Sequence, residues 1–155
     1  MSEATETTMA RQREAPGRLA RLIANAPPDA LREPPAPDKW SVVAIVAHLA
    51  EDELSSSWRY RQMLENPGVA LPSFDQEEWA RRGEYPFWDI HEALEMFRLL
   101  REANIRLLAR LTAEEWQRVG VHAERGRFTV AELAVHMTEH DARHIEQIRR
   151  ILEAA

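Results

Sequence analysis

The sequence predicts an all-α fold, a four-helix bundle of antiparallel helices with long connections. Three observations carry this. Apolar residues recur at helical spacing over four separate stretches, two of the longest open on helix-start signals, and no pair of segments alternates as paired strands do. With 155 residues the chain is long enough for one core, so residues 1–155 are expected to form a single domain.

The first fifteen residues, MSEATETTMARQREA, read as a polar lead-in. GRLARLIANA then places Leu19, Leu22 and Ile23 at helical spacing for a short first helix. PPDALREPPAPD is too proline-rich for a helix or a central strand. Ser41 is an N-cap, with Trp40 and Ile45 spaced as a hydrophobic staple, and opens a second helix from Val42 to about Glu65. Residues 66–88 mix proline, glycine and aromatics, which suggests an ordered loop with a short helical turn near Glu77. Ile90, Leu94, Phe97, Leu100/Arg101, Leu107/Leu108 and Leu111 mark a third helix over 89–111. Thr112 and Glu115 form a capping box for a brief turn ending at Gly120, and VHAERGR is a connector open to extended backbone. Phe128, Thr129, Glu132 and Leu133 combine a staple with a capping box and open the last helix, to about Glu153.

Composition narrows the function. Apolar residues at 45% and charged residues at 30% are ordinary for a globular protein. A formal net charge of −6 disfavours nucleic acid, whose affinity comes from Lys and Arg displacing counterions. The chain has no cysteine, so disulfides, thiolate ligands and a cysteine nucleophile are excluded and any metal must use His, Asp or Glu. No apolar leader or span is present, so no membrane partner and a cytoplasmic location are expected.

The chemistry concentrates in HMTEHDARH, residues 136–144. His136 to His140 spells H-x-x-E-H, an inverted zinc-protease pattern, and His140 to His144 is a plain H-x-x-x-H. Residues four apart share a helix face, so either pair can close on one ion. Helical phase separates them. At about 100° per residue, Val130, Leu133, Met137, Ile145, Ile148 and Ile151 form a stripe nearest His144, with His140 at its edge and His136 further out. A metal in a bundle core needs inward ligands, which favours His140 and His144. The protease pattern also wants a further acidic ligand well downstream, where the chain soon ends. His48, at the edge of the second helix's stripe with small Ala44 and Ser55 nearby, is the natural third ligand. WSVVAIVAHLAED (40–52) and FTVAELAVHMTEH (128–140) share offsets, which two staple-capped amphipathic helices explain. Asp52, one turn from His48, is a candidate fourth ligand or supporting carboxylate, and Asp141 is a candidate for orienting an imidazole. His91 and His122 read as ordinary boundary histidines.

PAPDKWSVVAIVAHLAEDE (35–53) and HAERGRFTVAELAVHMTEHDARHIEQIRRI (122–151) resemble the DinB/YfiT-like family of small four-helix proteins regarded as metalloenzymes, most specifically in HDARHIEQI paired with WSVxxxxxHL. The resemblance implies a divalent metal, zinc or nickel, held by His48, His140 and His144, with His136 an extra beside the site. Three imidazoles leave open positions, as in a catalytic site. Such an ion can acidify water for a hydrolase or bind an incoming thiolate for a transferase, and some relatives use a low-molecular-weight thiol. The expected partner is a small-molecule substrate, with such a thiol as one class. Glu51, Asp52, Glu139 and Asp141 all lie near a ligand, and none is singled out as a general base. Arg59 and Arg143 are candidate contacts for an anionic substrate. The rival reading is a non-catalytic homodimeric module with a structural or lapsed metal site, for which the Trp-rich 66–88 loop would suit an interface.

Overall fold

The computed structural model describes residues 1–155. In chain order the elements are α1 (Glu3–Ala24), α2 (Pro28–Arg32), α3 (Val42–Glu65), β1 (Val69–Leu71), α4 (Gln76–Arg82), a 3₁₀ turn (Tyr85–Phe87), α5 (Ile90–Leu108), α6 (Ala113–Trp116), β2 (Val119–His122), β3 (Gly126–Thr129) and α7 (Val130–Ala154). The expected start signals are all in use. Ser41 accepts from the Ala44 amide at 3.2 Å and opens α3. Thr112 and Thr129 begin α6 and α7 with reciprocal capping boxes to Glu115 and Glu132. No helix is long and apolar enough to cross a membrane.

The polar N-terminus is not a lead-in. It is the first half of α1, capped by Ser2, and it buries Met9, Gln12 and Ala15 in line with Leu19 and Ile23. Pro16 lies inside this helix. Proline has no N–H, so the carbonyl four residues back, that of Gln12, loses its helical donor. Arg101 Nη1 supplies the replacement, donating to the Gln12 oxygen at 3.0 Å. The proline-rich stretch after α1 also holds more helix than expected: α2 starts with proline at its first position, where no N–H is needed, and buries Leu31.

The four long helices α1, α3, α5 and α7 form the bundle. Glu53 and Ser57 of α3 meet Arg101 and Asn104 of α5 in the same order, so these two helices run parallel. Gln12 of α1 meets Ala134 of α7, while Leu19 and Ile23 share a cluster with Ile145 and Ile148, so this pair is parallel too. The two pairs oppose each other. The connection between α3 and α5 therefore crosses the length of the bundle, carrying β1, α4 and the 3₁₀ turn along α3. Trp40, Trp79, Tyr85 and Trp88 pack there against Ala44 and Ala47, which explains why residues 41–50 are buried without a break.

A small sheet was not expected. β1 pairs parallel with β2, and β2 antiparallel with β3, in the order β1-β2-β3. Strands of three and four residues are too short to show an alternating pattern. Gly120 lets β2 lie against α3, since a Cβ there would come 2.6 Å from Leu71 Cδ1 and 3.0 Å from Met63 Cγ. Gly126 takes the left-handed φ of 76° that the β2–β3 turn requires.

Two apolar clusters fill the ends of the bundle, and a polar layer lies between them. Arg101, 1% exposed, donates from Nε and Nη2 to Glu53 at 3.0 and 2.8 Å, and from Nη1 and Nη2 to Asp141 at 2.7 and 3.0 Å. With the Gln12 carbonyl, all five guanidinium hydrogens have an acceptor. Asn104 Nδ2 adds a bond to Glu53 at 2.8 Å. Burial opposes the charge on Arg101, but Glu53 and Asp141 more than offset it and raise its pKa. Arg101→Leu would leave two buried carboxylates unpaired and is expected to cost about 3–5 kcal/mol in urea unfolding. Replacing Arg101, Glu53 and Asp141 together by leucine should recover most of that loss. A single variant within about 1 kcal/mol of wild type would contradict this account of the layer.

Candidate metal centre

Because α3 and α7 are antiparallel neighbours, a residue early in α3 faces a residue late in α7. His48 thereby meets His140 and His144. The potential donor atoms of all three lie within 4.8 Å of one another, and His48 Nε2 is 3.0 Å from His140 Nε2. The ring centroids of His144 lie 5.0 Å from His48 and 4.5 Å from His140. Two nitrogens that share one ion at about 2.1 Å sit roughly 3.0–3.4 Å apart, so the His48–His140 spacing fits a shared cation. The donor set, three imidazoles without thiolate, also fits a borderline divalent metal.

The surroundings keep these rings neutral, as ligation needs. Trp40 covers His48, with centroids 5.2 Å apart. Burial, then the neighbouring His144, pushes the His48 pKa down to about 3. Burial and the other histidines push His140 down to about 2. His144 is lowered by burial, partly countered by Gln147. Gln147 Oε1 stands 2.8 Å from His144 Nδ1. An amide oxygen only accepts, so the ring proton sits on Nδ1 and the Nε2 lone pair is free for a cation. The motif HDARHIEQI contained Gln147, yet nothing in the spacing marked it as the residue that fixes a tautomer.

His140 Nδ1 is buried without a hydrogen-bond partner. The nearest carboxylate is Asp52, with Oδ2 at 3.4 Å. Burial raises the Asp52 carboxyl to about 6, against the pull of Arg59. Asp52 thus faces the Nδ1 edge of His140 without a hydrogen bond between them. Asp141 does not orient an imidazole. Both of its oxygens are taken by Arg101, because its position on α7 turns it toward α5 rather than α3. His136 is half-buried. Its ring lies 6.3 Å from that of His140, and its Nε2 accepts from Arg125 Nη1 at 2.8 Å. His91 is exposed in the first turn of α5.

His140 and His144 open on a cleft of about 310 Å³ between α3, α7, the crossover and the β2–β3 hairpin. Asp52, Arg59, Phe74, His122, Arg125, His136, His140, Arg143 and His144 all line it. His122 is the histidine that sequence reasoning placed wrongly. It is buried at the end of β2, and a connector reading gave no reason to aim it at the site.

A family model described as the DinB superfamily matches residues 12–148. Two curated relatives carry the printed name "Putative metal-dependent hydrolase". One, from Oceanobacillus iheyensis, is 26% identical over 110 residues, which is 71% of this chain and 63% of the relative. The other, from Geobacillus thermodenitrificans, is 26% identical over 107 residues, 69% of this chain and 60% of the relative. The matched stretch spans less than two thirds of the length of both. Among solved structures, YfiT from Bacillus subtilis, titled "a probable metal-dependent hydrolase with an unusual four-helix bundle topology", superposes with a TM-score of 0.88. It is 21% identical, and the match covers 97% of this chain and 87% of that one. At that identity the likeness speaks for the fold.

Metal-free protein is expected to lose stability as the pH falls below about 6.5. Unfolded histidines take up protons there, whereas His48 and His140 stay neutral in the fold down to about 3 and about 2, so acid favours the unfolded chain. Each such histidine contributes a slope of about 1.4 kcal/mol per pH unit inside that window. Burial raises the Asp52 and Asp141 carboxyls to about 6, and these oppose the trend below that pH. Urea unfolding in the presence of a chelator is therefore compared between wild type and His48→Gln. The wild type should lose more stability between about pH 7 and about pH 5, and an equal loss in both would contradict the burial argument. Gln147→Leu should weaken metal binding about tenfold to a hundredfold in competition with a chelating dye. Equal affinity would remove Gln147 from the site.

Proposed function

The chain belongs to the DinB superfamily, and from that premise we propose that it is a metal-dependent hydrolase of small molecules, with His48, His140 and His144 holding a divalent ion. The observation that carries this reading is the meeting of three neutral imidazoles from two helices, His48 and His140 buried and His144 partly so, with His140 and His144 lining an open cleft. The hydrolase names of the two curated relatives support it. An all-imidazole set suits zinc or nickel.

When bound at three protein ligands, such an ion supplies Lewis-acid polarisation of a carbonyl and an acidified water as nucleophile. The chain's own residues prepare the site for it. Gln147 holds His144 in the tautomer whose Nε2 is free. Asp52 faces the Nδ1 edge of His140, whose Nε2 is turned toward His48. Trp40 keeps water from His48 on the side away from the cleft.

Wild-type protein reconstituted with zinc or nickel is expected to retain near one equivalent of metal by elemental analysis and to hydrolyse members of an ester and amide panel. His48→Ala and His144→Ala should lose the metal, and hydrolysis should fall at least about a hundredfold. A wild type that retains no metal would overturn the reading. Loaded protein that moves a low-molecular-weight thiol onto an electrophile and hydrolyses nothing would make it an S-transferase, and stoichiometric metal with neither reaction would leave a structural ion.

A further inference from the structure

We propose that the cleft beside the triad contains an oxyanion subsite, built by Arg59 and His122, that takes the carboxylate or phosphate end of a small anionic substrate. The proposal deepens the hydrolase reading and rests on it for what lies next to the subsite. The subsite itself is argued from the chain's own donors.

His122 Nδ1 accepts from the backbone amides of Glu124 and Arg125, both at 3.1 Å. That nitrogen therefore presents its lone pair, and the ring proton sits on Nε2. Burial, with Arg59 and Arg125 close by, lowers the pKa of this imidazole and keeps it neutral. Arg59 Nη2 stands 3.4 Å from that Nε2. A guanidinium can only donate, and here so can the imidazole edge, so this contact is not a hydrogen bond. Two N–H groups converge with no acceptor between them.

Arg59 is 6% exposed and forms no ion pair with a carboxylate, unlike buried Arg101. Its one protein acceptor is the Pro72 carbonyl, 3.3 Å from Nη2, and Phe74 stacks near it with the ring centroid 5.4 Å from Cζ. A buried guanidinium in this state is costly unless an anion joins it. Asp52 acts on Arg59 through the field, but its nearest cationic or imidazole partner is His140. Arg125 and Arg143, both exposed, stand in the same cleft. Three arginines line it against the two carboxylates of Asp52 and Glu124. The cleft is thus biased positive in a chain of net charge −6, and its volume of about 310 Å³ suits a metabolite-sized ligand. A substrate anchored by its anion at Arg59 and His122 would lie along the cleft toward the histidine triad.

The test uses full-length, metal-free protein with labelled histidines, so that no ion competes for the anion. The His122 ring resonances are followed while inorganic phosphate, or separately succinate, is added at constant ionic strength. The expected result is a saturable shift in at least one arm, at least about tenfold weaker in Arg59→Gln, less weakened in Arg59→Lys and unchanged in Arg127→Gln. Saturation by succinate alone assigns a carboxylate, by phosphate alone a phosphate, and either supports the subsite. No saturable shift in either arm, or equal affinity in a folded Arg59→Gln, overturns it. If Arg59→Gln does not fold, the wild-type titration decides alone. Metal loading is measured separately, so failure of the hydrolase reading and failure of the subsite remain distinct.

Discussion

One guanidinium touches all four long helices. Arg101 stands on α5 and bonds Gln12 of α1, Glu53 of α3 and Asp141 of α7. An ion pair buried in this way adds little net stability, because desolvation offsets attraction, but it penalises every packing that leaves a member unpaired. Apolar clusters alone would tolerate a helix sliding by a turn. The polar layer does not, since a shift of one turn would strand the two carboxylates or the Gln12 carbonyl. It therefore sets the register between α3 and α7, and the site inherits that register: His140 is the residue before Asp141, and His48 lies just over one turn before Glu53.

The crossover between α3 and α5 supplies the second condition. By returning along α3 it lays Tyr85 and Trp88 beside Trp40, which precedes α3, around the turn that carries His48. It also brings Pro72 and Phe74 to Arg59. The β1–β2 pairing ties this segment to the hairpin that holds His122. An aromatic cover on one side and a polar, arginine-bearing cleft on the other give a site that is dry behind the imidazoles and open in front of them.

How much of this was legible follows from which forces act locally. Caps and staples are local, so α3 and α7 could be bounded from Ser41 and Thr129 and their neighbours. The phase of an amphipathic helix is local too, which is why His140 and His144 could be preferred over His136 before any partner helix was placed. Pro16 and Gly17 look like a helix break, and the Gln12 carbonyl that Pro16 leaves without a helical donor is met by Arg101, 89 positions along the chain from Gln12, a contact that no local pattern reports. Asp141 sits beside two histidines in sequence, but a helix turns about 100° per residue, and its partner was an arginine in the apolar stripe of α5. Arg101 fell at that stripe's phase, a signal that a charge was buried, though not with whom. The ring tautomers of His122 and His144 are set by individual hydrogen bonds, from the Glu124 and Arg125 amides in one case and to Gln147 in the other, which no spacing rule reports.

The most direct measurement of the central claim, that α3 and α7 deliver three imidazoles to one open cation site, is X-ray absorption on protein loaded with one equivalent of zinc. The account predicts a first shell of three histidine nitrogens at about 2.0–2.1 Å, with the remaining coordination from light solvent or substrate oxygen. A shell dominated by carboxylate oxygen, or one with fewer than two imidazoles, would contradict it.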